Sequence, residues 1–281
     1  MLRVARFLSV PLLLLAIALG VLALTSKPAQ PAAVLSSFAE QPLVIAHRGG
    51  KGLWPENSLF AFQRASALGV DMLEMDLHLS SDGELVVIHD STLDRTTNGQ
   101  GAARVQSWDA LSRLDAGSWH GRIYAGESLL RLEALSRWLQ ALGLMVNLEL
   151  KPAMGEERRT GQVVAQRVAQ WWRDSEVKPL LSSFSVEALE AARDAAPALP
   201  RALLLDRWQI DGVQQAVQLG CVAMVVHHSF LDARRIDAIH EMGLKALAYT
   251  VNELDRAEAL WAAGLDGLIT DRVDFFDPQS G

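Results

Sequence analysis

Eight short apolar runs alternate with helical patterns between residues 43 and 270, and no other feature constrains the fold as strongly. Runs of this length are typical of strands that are buried on both faces, and intervening helices favour a parallel sheet. Eight such units in roughly 240 residues fit a closed barrel better than an open sheet. We therefore predict an α/β fold, a (β/α)8 TIM barrel. The predicted strands are Leu43–Ala46, Met72–Leu77, Met145–Leu150, Leu180–Phe184, Ala202–Leu205, Ala223–His227, Ala246–Val251 and Gly267–Thr270.

Helical periodicity fills most of the gaps between these strands, and several helical stretches end at glycine, the usual C-terminal signal. The span of about 91–128 is different, because it is rich in Gly, Arg and Trp and only weakly periodic. We predict that it is a small insertion after the second strand that helps to shape the substrate site. The predicted helices are Ser58–Leu68, Leu132–Leu142, Gln162–Arg173, Val186–Ala195, Asp232–Met242 and Leu254–Ala263.

Residues 73–90, LEMDLHLSSDGELVVIHD, form the second strand and a return arm. Asp82-Gly83 predicts a two-residue hairpin turn, which would set Asp76 opposite His89. Because side chains alternate along a strand, Glu74 then lies on the same face as this pair. Buried charge is costly unless it is paired, so the segment predicts a cation site or a catalytic role. A solvated sheet face with a chance histidine is the alternative interpretation.

Polar side chains also occur at the ends of other strands, where a barrel places its active site. The first strand ends in His47-Arg48, and alternation along the third puts Glu149 and Lys151 on one face. Arginine and lysine are suited to binding phosphate oxygens, and two histidines near a cation can act as acid and base.

Three carboxylates without a thiolate suit a hard cation, Ca²⁺ or Mg²⁺, better than zinc or copper. Together with the histidines and the cationic side chains they predict metal-assisted cleavage of a phosphodiester. The carboxylates are those of Glu74, Asp76 and Glu149.

The N-terminal 26 residues carry a membrane signal. Phe7 to Leu24 is an uncharged apolar run of 18 residues, about 27 Å long as a helix. Arg3 and Arg6 precede it, which favours a cytoplasmic N-terminus. We predict a transmembrane signal anchor at 1–26, a linker at 27–41 and the barrel at 42–276, extracytoplasmic, or periplasmic in a Gram-negative bacterium. A cleaved signal peptide, giving a secreted protein, is the alternative.

Composition excludes other classes. The formal net charge of −7 and the lack of a basic stripe argue against nucleic acid as a partner. A single cysteine, Cys221, excludes an internal disulfide and a cysteine-based zinc site.

The motifs, taken in order, resemble the glycerophosphodiester phosphodiesterase family over residues 43–271. Each motif alone would be weak, whereas all of them at barrel spacing are highly specific. Those that match are HRGG at 47–50, PENS at 55–58, EMD at 74–76, HD followed by LDRTT at 89–97, NLELK at 147–151, SSF at 182–184, YTVN at 249–252 and ITD at 269–271.

This resemblance implies a barrel of the phospholipase C-like phosphodiesterase type that hydrolyses glycerophosphodiesters to sn-glycerol 3-phosphate and an alcohol. It also implies a role for each matching residue. Tyr249 stands where the family usually has tryptophan. The implied roles are metal ligands for Glu74, Asp76 and Glu149, acid–base catalysis for His47 and His89, and substrate or phosphate binding for Arg48, Lys151 and Tyr249.

Two alternative functions stay open at this point. A lysophospholipase D would use the same chemistry on membrane lysophospholipids, with apolar side chains of the insertion near the substrate. A non-catalytic barrel that binds phosphodiesters or a partner protein would show loss of a carboxylate ligand or of a histidine, and none is missing. The apolar side chains are those of Trp108, Leu111, Leu114, Trp119, Ile123 and Tyr124.

Overall fold

A closed barrel of eight parallel strands forms the centre of the computed structural model, which describes residues 42–276. The strand order is β1-β2-β5-β6-β7-β8-β9-β10, and β10 pairs with β1 to close the barrel. The predicted barrel and all eight of its strands are confirmed. Two further short strands, β3 and β4, extend β2 in antiparallel fashion. The strands are β1 Leu43–Ala46, β2 Met72–Leu79, β3 Leu85–Val87, β4 Leu130–Arg131, β5 Met145–Leu150, β6 Leu180–Ser183, β7 Arg201–Leu205, β8 Ala223–His227, β9 Lys245–Tyr249 and β10 Gly267–Thr270.

Helices cover the outside of the barrel and bury apolar faces against the strands. The helix at Gly212–Gln218 was not predicted, and the helix predicted from Gln162 begins earlier, at Glu157. That helix packs closely on the next one at Gly161, where an added Cβ would lie 2.0 Å from the carbonyl oxygen of Ala188. The helices are α1 Leu59–Ala67, α2 Trp108–Leu111, α3 Leu132–Leu142, α4 Glu157–Trp171, α5 Val186–Ala195, α6 Gly212–Gln218, α7 Ala233–Glu241 and α8 Leu254–Ala262.

A separate apolar cluster fills the interior of the barrel. Its buried residues come from seven of the barrel strands, such as Ile45, Met72 and Leu180, and Met145 of β5 packs against them. Polar residues replace this pattern toward the carboxyl ends, where Glu74 and Asp76 follow Met72 on the same face of β2. The inside of the barrel is therefore apolar toward the amino ends of the strands and charged at the mouth, where the strands end.

The predicted two-residue turn at Asp82-Gly83 is wrong. Leu79 pairs with Leu85 and Leu77 with Val87, which leaves a three-residue loop of Ser81, Asp82 and Gly83. Gly83 has φ +81°, as this loop type requires at its last position. The side chain of Asp82 is held there because it accepts hydrogen bonds from Ser80 Oγ at 2.5 Å and Trp108 N at 3.1 Å.

The one-residue shift changes the neighbour of Asp76. Its carbonyl accepts a hydrogen bond from the amide of Ile88 at 3.1 Å, so Ile88 and not His89 lies opposite. A one-residue shift would place His89 on the other face if the strand continued. Because β3 ends at Val87, the chain after it is free to direct the His89 ring toward the barrel mouth.

The segment after β3 has a small core of its own, built on the face of the hairpin that carries Val86 and Ile88. Leu111 is fully buried there, and Trp108 and Leu114 pack against it. Asp115 accepts hydrogen bonds from the amides of Ser118 and Gly126 at 2.7 Å each, which holds the end of the segment together. The core of this segment is therefore formed in part by Trp108, Leu111 and Leu114.

The predicted anchor at 1–26 and linker at 27–41 lie outside the described residues. Within 42–276, none of the helices has the length and apolar character needed to cross a bilayer.

Candidate active site

The first strand delivers two predicted site residues through a sharp turn. After Ala46 the chain forms a 3₁₀ turn, His47–Gly49, in which Arg48 has φ 51° and Gly49 φ 80°. These left-handed conformations fold the loop back over the barrel mouth, and both His47 and Arg48 are buried. Gly49 fits because an added Cβ would lie only 2.8 Å from the Cβ of Ala61 in α1.

The three predicted metal ligands converge. Strands β2 and β5 pair in register, so that Asp76 lies beside Glu149. One carboxylate oxygen from each of Glu74, Asp76 and Glu149 lies within 4.8 Å of the others, and all three residues are buried. Two ligand oxygens on opposite sides of a Ca²⁺ ion are about 4.8 Å apart, and adjacent ones are closer. The spacing therefore fits a hard cation.

Two of these carboxylates accept hydrogen bonds through one oxygen only. Glu74 Oε2 accepts a hydrogen bond from the Arg48 amide at 2.9 Å, and Asp76 Oδ2 accepts one from Asn57 Nδ2 at 2.9 Å. The other oxygens, Glu74 Oε1 and Asp76 Oδ1, are buried without a hydrogen-bond partner. Buried carboxylate oxygens are costly in that state, and a bound cation would satisfy them. The residues fit the metal that the sequence predicts.

Burial and mutual repulsion dominate the electrostatics of the cluster. Burial raises the pKa of Glu74, and the charges of Asp76 and Glu149 raise it further. Burial also raises the pKa of Glu149 to about 7, again with a contribution from Asp76. Burial opposes ionisation of Asp76 as well, but Arg48 and Lys151 outweigh it and keep the pKa of this carboxyl below its usual range. The cluster needs additional positive charge to ionise fully.

Each predicted catalytic histidine binds a carboxylate through Nδ1. His47 contacts Asp271 at 2.6 Å and His89 contacts Asp90 at 2.7 Å. The ammonium of Lys151 donates to His89 Nε2 at 3.2 Å, which makes Nδ1 the protonated nitrogen of this ring. Burial lowers the pKa of both histidines below 6.5 and outweighs the opposing effect of nearby acids. Burial therefore favours the neutral form of both rings.

A cavity of about 220 Å³ collects these groups at the barrel mouth. Arg48 and Lys151 give one wall a positive charge, whereas Phe184, Leu204 and Ile269 make the other wall apolar. The fully buried Asp76 lies beside Glu149, which lines the cavity. The structure brings all eight predicted site residues together, seven of them as lining residues: His47, Arg48, Glu74, His89, Glu149, Lys151 and Tyr249.

Tyr249 contributes its ring to this cavity more than its hydroxyl. The hydroxyl donates to the carbonyl of Leu205 at 3.2 Å. The ring makes edge-on contacts with Phe184 and His227, with centroids 5.9 and 5.6 Å away. Burial raises the pKa of this phenol, so it stays protonated. Its contribution is an aromatic surface on the apolar wall.

A glycerophosphoryl diester phosphodiesterase family model matches residues 47–275. This chain belongs to that family. The glycerophosphodiester phosphodiesterase of Caldanaerobacter subterraneus subsp. tengcongensis is 31% identical over 238 residues, which cover 85% of this chain and 95% of the relative. Among solved structures, a phosphodiesterase of Oleispira antarctica in complex with the product sn-glycerol-3-phosphate matches with a TM-score of 0.77 and 33% identity. The match covers 84% of this chain and 95% of that one.

A glycerophosphodiester phosphodiesterase of Agrobacterium tumefaciens matches with a TM-score of 0.71 and 28% identity, over 84% of this chain and 99% of that one. The prediction that the chain is an enzyme of this family is confirmed. The alternative of a non-catalytic barrel is wrong, because the family is one of enzymes and none of the predicted site residues is missing. The roles of the individual residues stay predictions.

Sequence reasoning missed two site residues of this phosphodiesterase, Asp90 and Arg95. Asp90 binds the ring of His89, and Arg95 binds Asp90 through Nε at 2.7 Å. Both lie in matched motifs, HD and LDRTT, which is the signal that could have found them. What the motifs do not reveal is that Arg95 also reaches Glu56, 39 residues away.

Proposed function

We propose that this phosphodiesterase uses a divalent cation, Ca²⁺ or Mg²⁺, to hydrolyse glycerophosphodiesters to sn-glycerol 3-phosphate and an alcohol. One observation carries the proposal. A buried triad of carboxylate oxygens within 4.8 Å of one another lies at a cavity that is lined by two histidines and three cationic side chains. The product held by the Oleispira antarctica relative supports the choice of substrate.

The proposed metal ligands are Glu74, Asp76 and Glu149. When bound there, the cation would supply positive charge that stabilises the negative charge developing on the phosphorane oxygens. Side chains of the protein would bind the phosphate and transfer the protons.

Arg48 and Lys151 are the proposed phosphate-binding groups. Glu56 fixes the Arg48 guanidinium through Nη1 at 2.8 Å, and Glu149 fixes the Lys151 ammonium at 2.9 Å. Both cations line the cavity. Donors that are fixed before the reaction stabilise developing charge without reorganising at that moment. We propose that both bind the non-bridging oxygens.

His47 and His89 are the proposed acid–base pair. Both bind a carboxylate through Nδ1, so Nε2 is the nitrogen of each ring that would transfer a proton. Nε2 of His89 also accepts a hydrogen bond from Lys151 at 3.2 Å. One histidine, in its neutral form, would remove the proton from the attacking group, which is either water or the substrate's own glycerol hydroxyl. The other, protonated at Nε2, would give its proton to the departing alcohol oxygen. If the glycerol hydroxyl attacks, water would then open the cyclic phosphate in a second step. The carboxylates of Asp271 and Asp90 would stabilise whichever ring is protonated, as in other histidine–carboxylate pairs.

Chelation and rescue test this function. The chain would be incubated with glycerophosphocholine, glycerophosphoethanolamine and lysophosphatidylcholine, first with EDTA and then with Ca²⁺ or Mg²⁺ added back separately. We expect release of sn-glycerol 3-phosphate from the first two substrates, loss of activity in EDTA, and recovery with at least one cation. Absence of this product from both would overturn the substrate, and full activity in EDTA would overturn the metal.

Two variants test the acid–base roles. His47→Ala and His89→Ala should each lower kcat by about 10²–10⁴-fold while the protein stays folded. Circular dichroism is the check on folding. Retention of wild-type turnover in either variant would remove that histidine from the mechanism.

The insertion gives no support to the lysophospholipid alternative. That alternative needs an apolar path to the substrate along the insertion, but Leu111 is fully buried and Trp108 packs against it. Of the six apolar residues of the insertion, only Trp119 and Ile123 are exposed, at 37% and 86%, and two exposed residues fall short of a contiguous apolar patch. The substrate panel above measures this activity directly.

For the location of the enzyme we propose a retained anchor at 1–26 followed by a linker at 27–41, with the barrel on the extracytoplasmic side. The support is the apolar run from Phe7 to Leu24 and the arginines before it. Membrane fractionation with protease treatment of intact cells or spheroplasts tests this. A mature N-terminus beyond residue 26 would instead establish cleavage and secretion.

A further inference from the structure

A continuous chain of ion pairs joins two site residues that lie on different elements. It runs from Arg48 through Glu56, Arg95 and Asp90 to His89. Arg48 Nη1 donates to Glu56 Oε1 at 2.8 Å, and Asp90 Oδ1 contacts His89 Nδ1 at 2.7 Å. Arg95 lies between these two pairs and binds both acids.

Arg95 uses two edges of its guanidinium for two carboxylates. Nη1 and Nη2 donate to the two oxygens of Glu56 at 2.8 Å each. Nε and Nη2 donate to the two oxygens of Asp90 at 2.7 and 3.0 Å. Only arginine offers this planar fork, because a lysine ammonium is a point charge that cannot bind two carboxylates bidentately. The Trp119 ring lies 5.9 Å from the Arg95 Cζ atom and adds a cation–π contact.

Glu56 is the buried acid in this series of ion pairs. Its side chain is only 5% exposed, and both oxygens accept hydrogen bonds from arginines. Burial opposes ionisation of Glu56, but Arg95 and Arg48 outweigh it and lower the pKa of this carboxyl. If Arg95 were removed, Glu56 would lose two of its three hydrogen bonds. It would then be a poorly compensated buried charge next to Arg48.

We propose that Arg95 is a positioning residue for the phosphodiesterase reaction: through Glu56 it fixes the guanidinium of Arg48, and through Asp90 it fixes the ring of His89. This inference rests on the proposed function of those two residues. Arg95 belongs to the segment after β3 and not to a barrel strand. The segment therefore links the phosphate-binding group and the acid–base group as one rigid unit.

Three variants test the proposal. Arg95→Ala removes the fork, and Arg95→Lys keeps the charge without it. Arg113→Ala is the matched control, because Arg113 lies in the same segment and binds both oxygens of an acid, Asp109, far from the cavity. Steady-state kinetics on glycerophosphocholine, thermal unfolding, and rescue by millimolar guanidinium chloride would be measured for each.

We expect Arg95→Ala to lower kcat by about 100-fold, because small displacements of catalytic groups have effects of this size. Arg95→Lys should recover only part of the loss, and Arg113→Ala should match the wild type. Because the Arg95 side chain is 44% exposed, free guanidinium can enter the vacated place and raise kcat of Arg95→Ala. It should have no such effect on Arg113→Ala or His89→Ala.

Several outcomes would overturn the proposal. Wild-type kcat in Arg95→Ala would do so. If Arg95→Ala unfolds, Arg95→Lys decides, and wild-type kcat in that folded variant would exclude a role for the fork. Loss of kcat in proportion to loss of folded protein, without guanidinium rescue, would show a purely structural role. Inactivity of the wild type on every glycerophosphodiester is a different failure, that of the proposed function.

Discussion

His47 Nδ1 lies 2.6 Å from Oδ1 of Asp271, a pair separated by 224 residues in the sequence. The two residues meet because β1 pairs with β10 when the barrel closes. Asn252 fixes the carboxylate, donating from Nδ2 to Asp271 Oδ2 at 3.0 Å and accepting from the Asp271 amide at 2.9 Å. Closure of the barrel therefore also orients the ring of His47.

The first prediction concerns this pair. Asp271→Asn removes the charge that holds the protonated Nδ1 of His47, so the ring loses its fixed tautomer and its stabilisation when protonated. We expect kcat to fall by at least about 100-fold with a smaller change in KM. The control is Asp266→Asn, which alters a second histidine–carboxylate pair, with His240 at 2.7 Å, away from the cavity. That variant should be less stable but equally active.

The pH dependence follows from the histidine pKa values. Burial lowers the pKa of both proposed catalytic histidines from the ordinary value of 6.5, so each ring stays neutral down to a lower pH than a free imidazole does. The acid limb of kcat/KM, which reports protonation of the base, should therefore have its midpoint below pH 6.5. A plot of kcat/KM from acid to neutral pH provides the measurement, and a midpoint above 6.5 would contradict the assignment.

Much of the fold could be predicted from the sequence, because local patterns of residues determine it. Buried parallel strands are nearly continuous apolar runs, and the bounds of Leu43–Ala46, Met145–Leu150 and Ala223–His227 were all predicted without error. Helix α6, Gly212–Gln218, was missed because it is only seven residues long, too short to show a helical period clearly.

The hairpin and the Arg95 contacts could not be read in the same way. Two- and three-residue hairpin loops share the Asp-Gly signal, and the side chain of Asp82 selects the longer loop through a contact with Trp108, 26 residues away. The position predicted for His89 at the barrel mouth is correct although the predicted register is wrong. The reason is that β3 ends at Val87, so the alternation of side chains along the strand does not extend to His89. Arg95 contacts Glu56 because two loops meet over the barrel mouth. Contacts between loops leave no periodic pattern in the sequence from which they could be predicted.

The proposed metal site gives a prediction about stability that is separate from activity. Ca²⁺ or Mg²⁺ at about 100 times its dissociation constant should stabilise the wild type by about 2.7 kcal/mol. Glu74→Gln removes a ligand and also the repulsion that Asp76 and Glu149 exert on Glu74. In EDTA this variant should melt at or above the wild-type temperature, and added cation should not raise that temperature.

Thermal unfolding with and without cation measures both effects. Glu84→Gln is the control, because this carboxylate pairs with Arg131 and Arg167 outside the cavity. It should keep the cation-dependent rise. A similar rise in Glu74→Gln would remove Glu74 from the ligand set.

Tyr249 gives a prediction about substrate binding. Its hydroxyl is bound to the Leu205 carbonyl and its ring lines the cavity, so Tyr249→Phe should change KM by no more than about twofold. Tyr249→Ala removes the ring and should raise KM by about tenfold, equivalent to about 1.4 kcal/mol of binding. Steady-state kinetics on glycerophosphocholine would measure both. A large loss of kcat in Tyr249→Phe would instead give the hydroxyl a part in the chemistry.

The loop that carries His47 and Arg48 gives the last prediction. Gly49 and Gly69 share φ +80°, but they differ in surroundings. A Cβ on Gly69 would meet nothing within 4 Å, whereas a Cβ on Gly49 would lie 2.8 Å from Ala61 Cβ and 2.9 Å from Phe62 Cδ1. Gly69→Ala therefore isolates the backbone effect, and we expect it to lower the free energy of unfolding by about 1–2 kcal/mol with no change in kcat.

Gly49→Ala adds a steric effect to the same backbone effect. Relieving the contact with α1 requires the loop to move, so we expect a further loss of about 1–3 kcal/mol. Because Arg48 is the preceding residue, the movement also shifts a phosphate-binding group, and kcat should fall in the protein that remains folded. Urea unfolding and kinetics on the two variants separate these effects. Equal stability and equal activity of both would mean that close packing of this loop on α1 does not position the site.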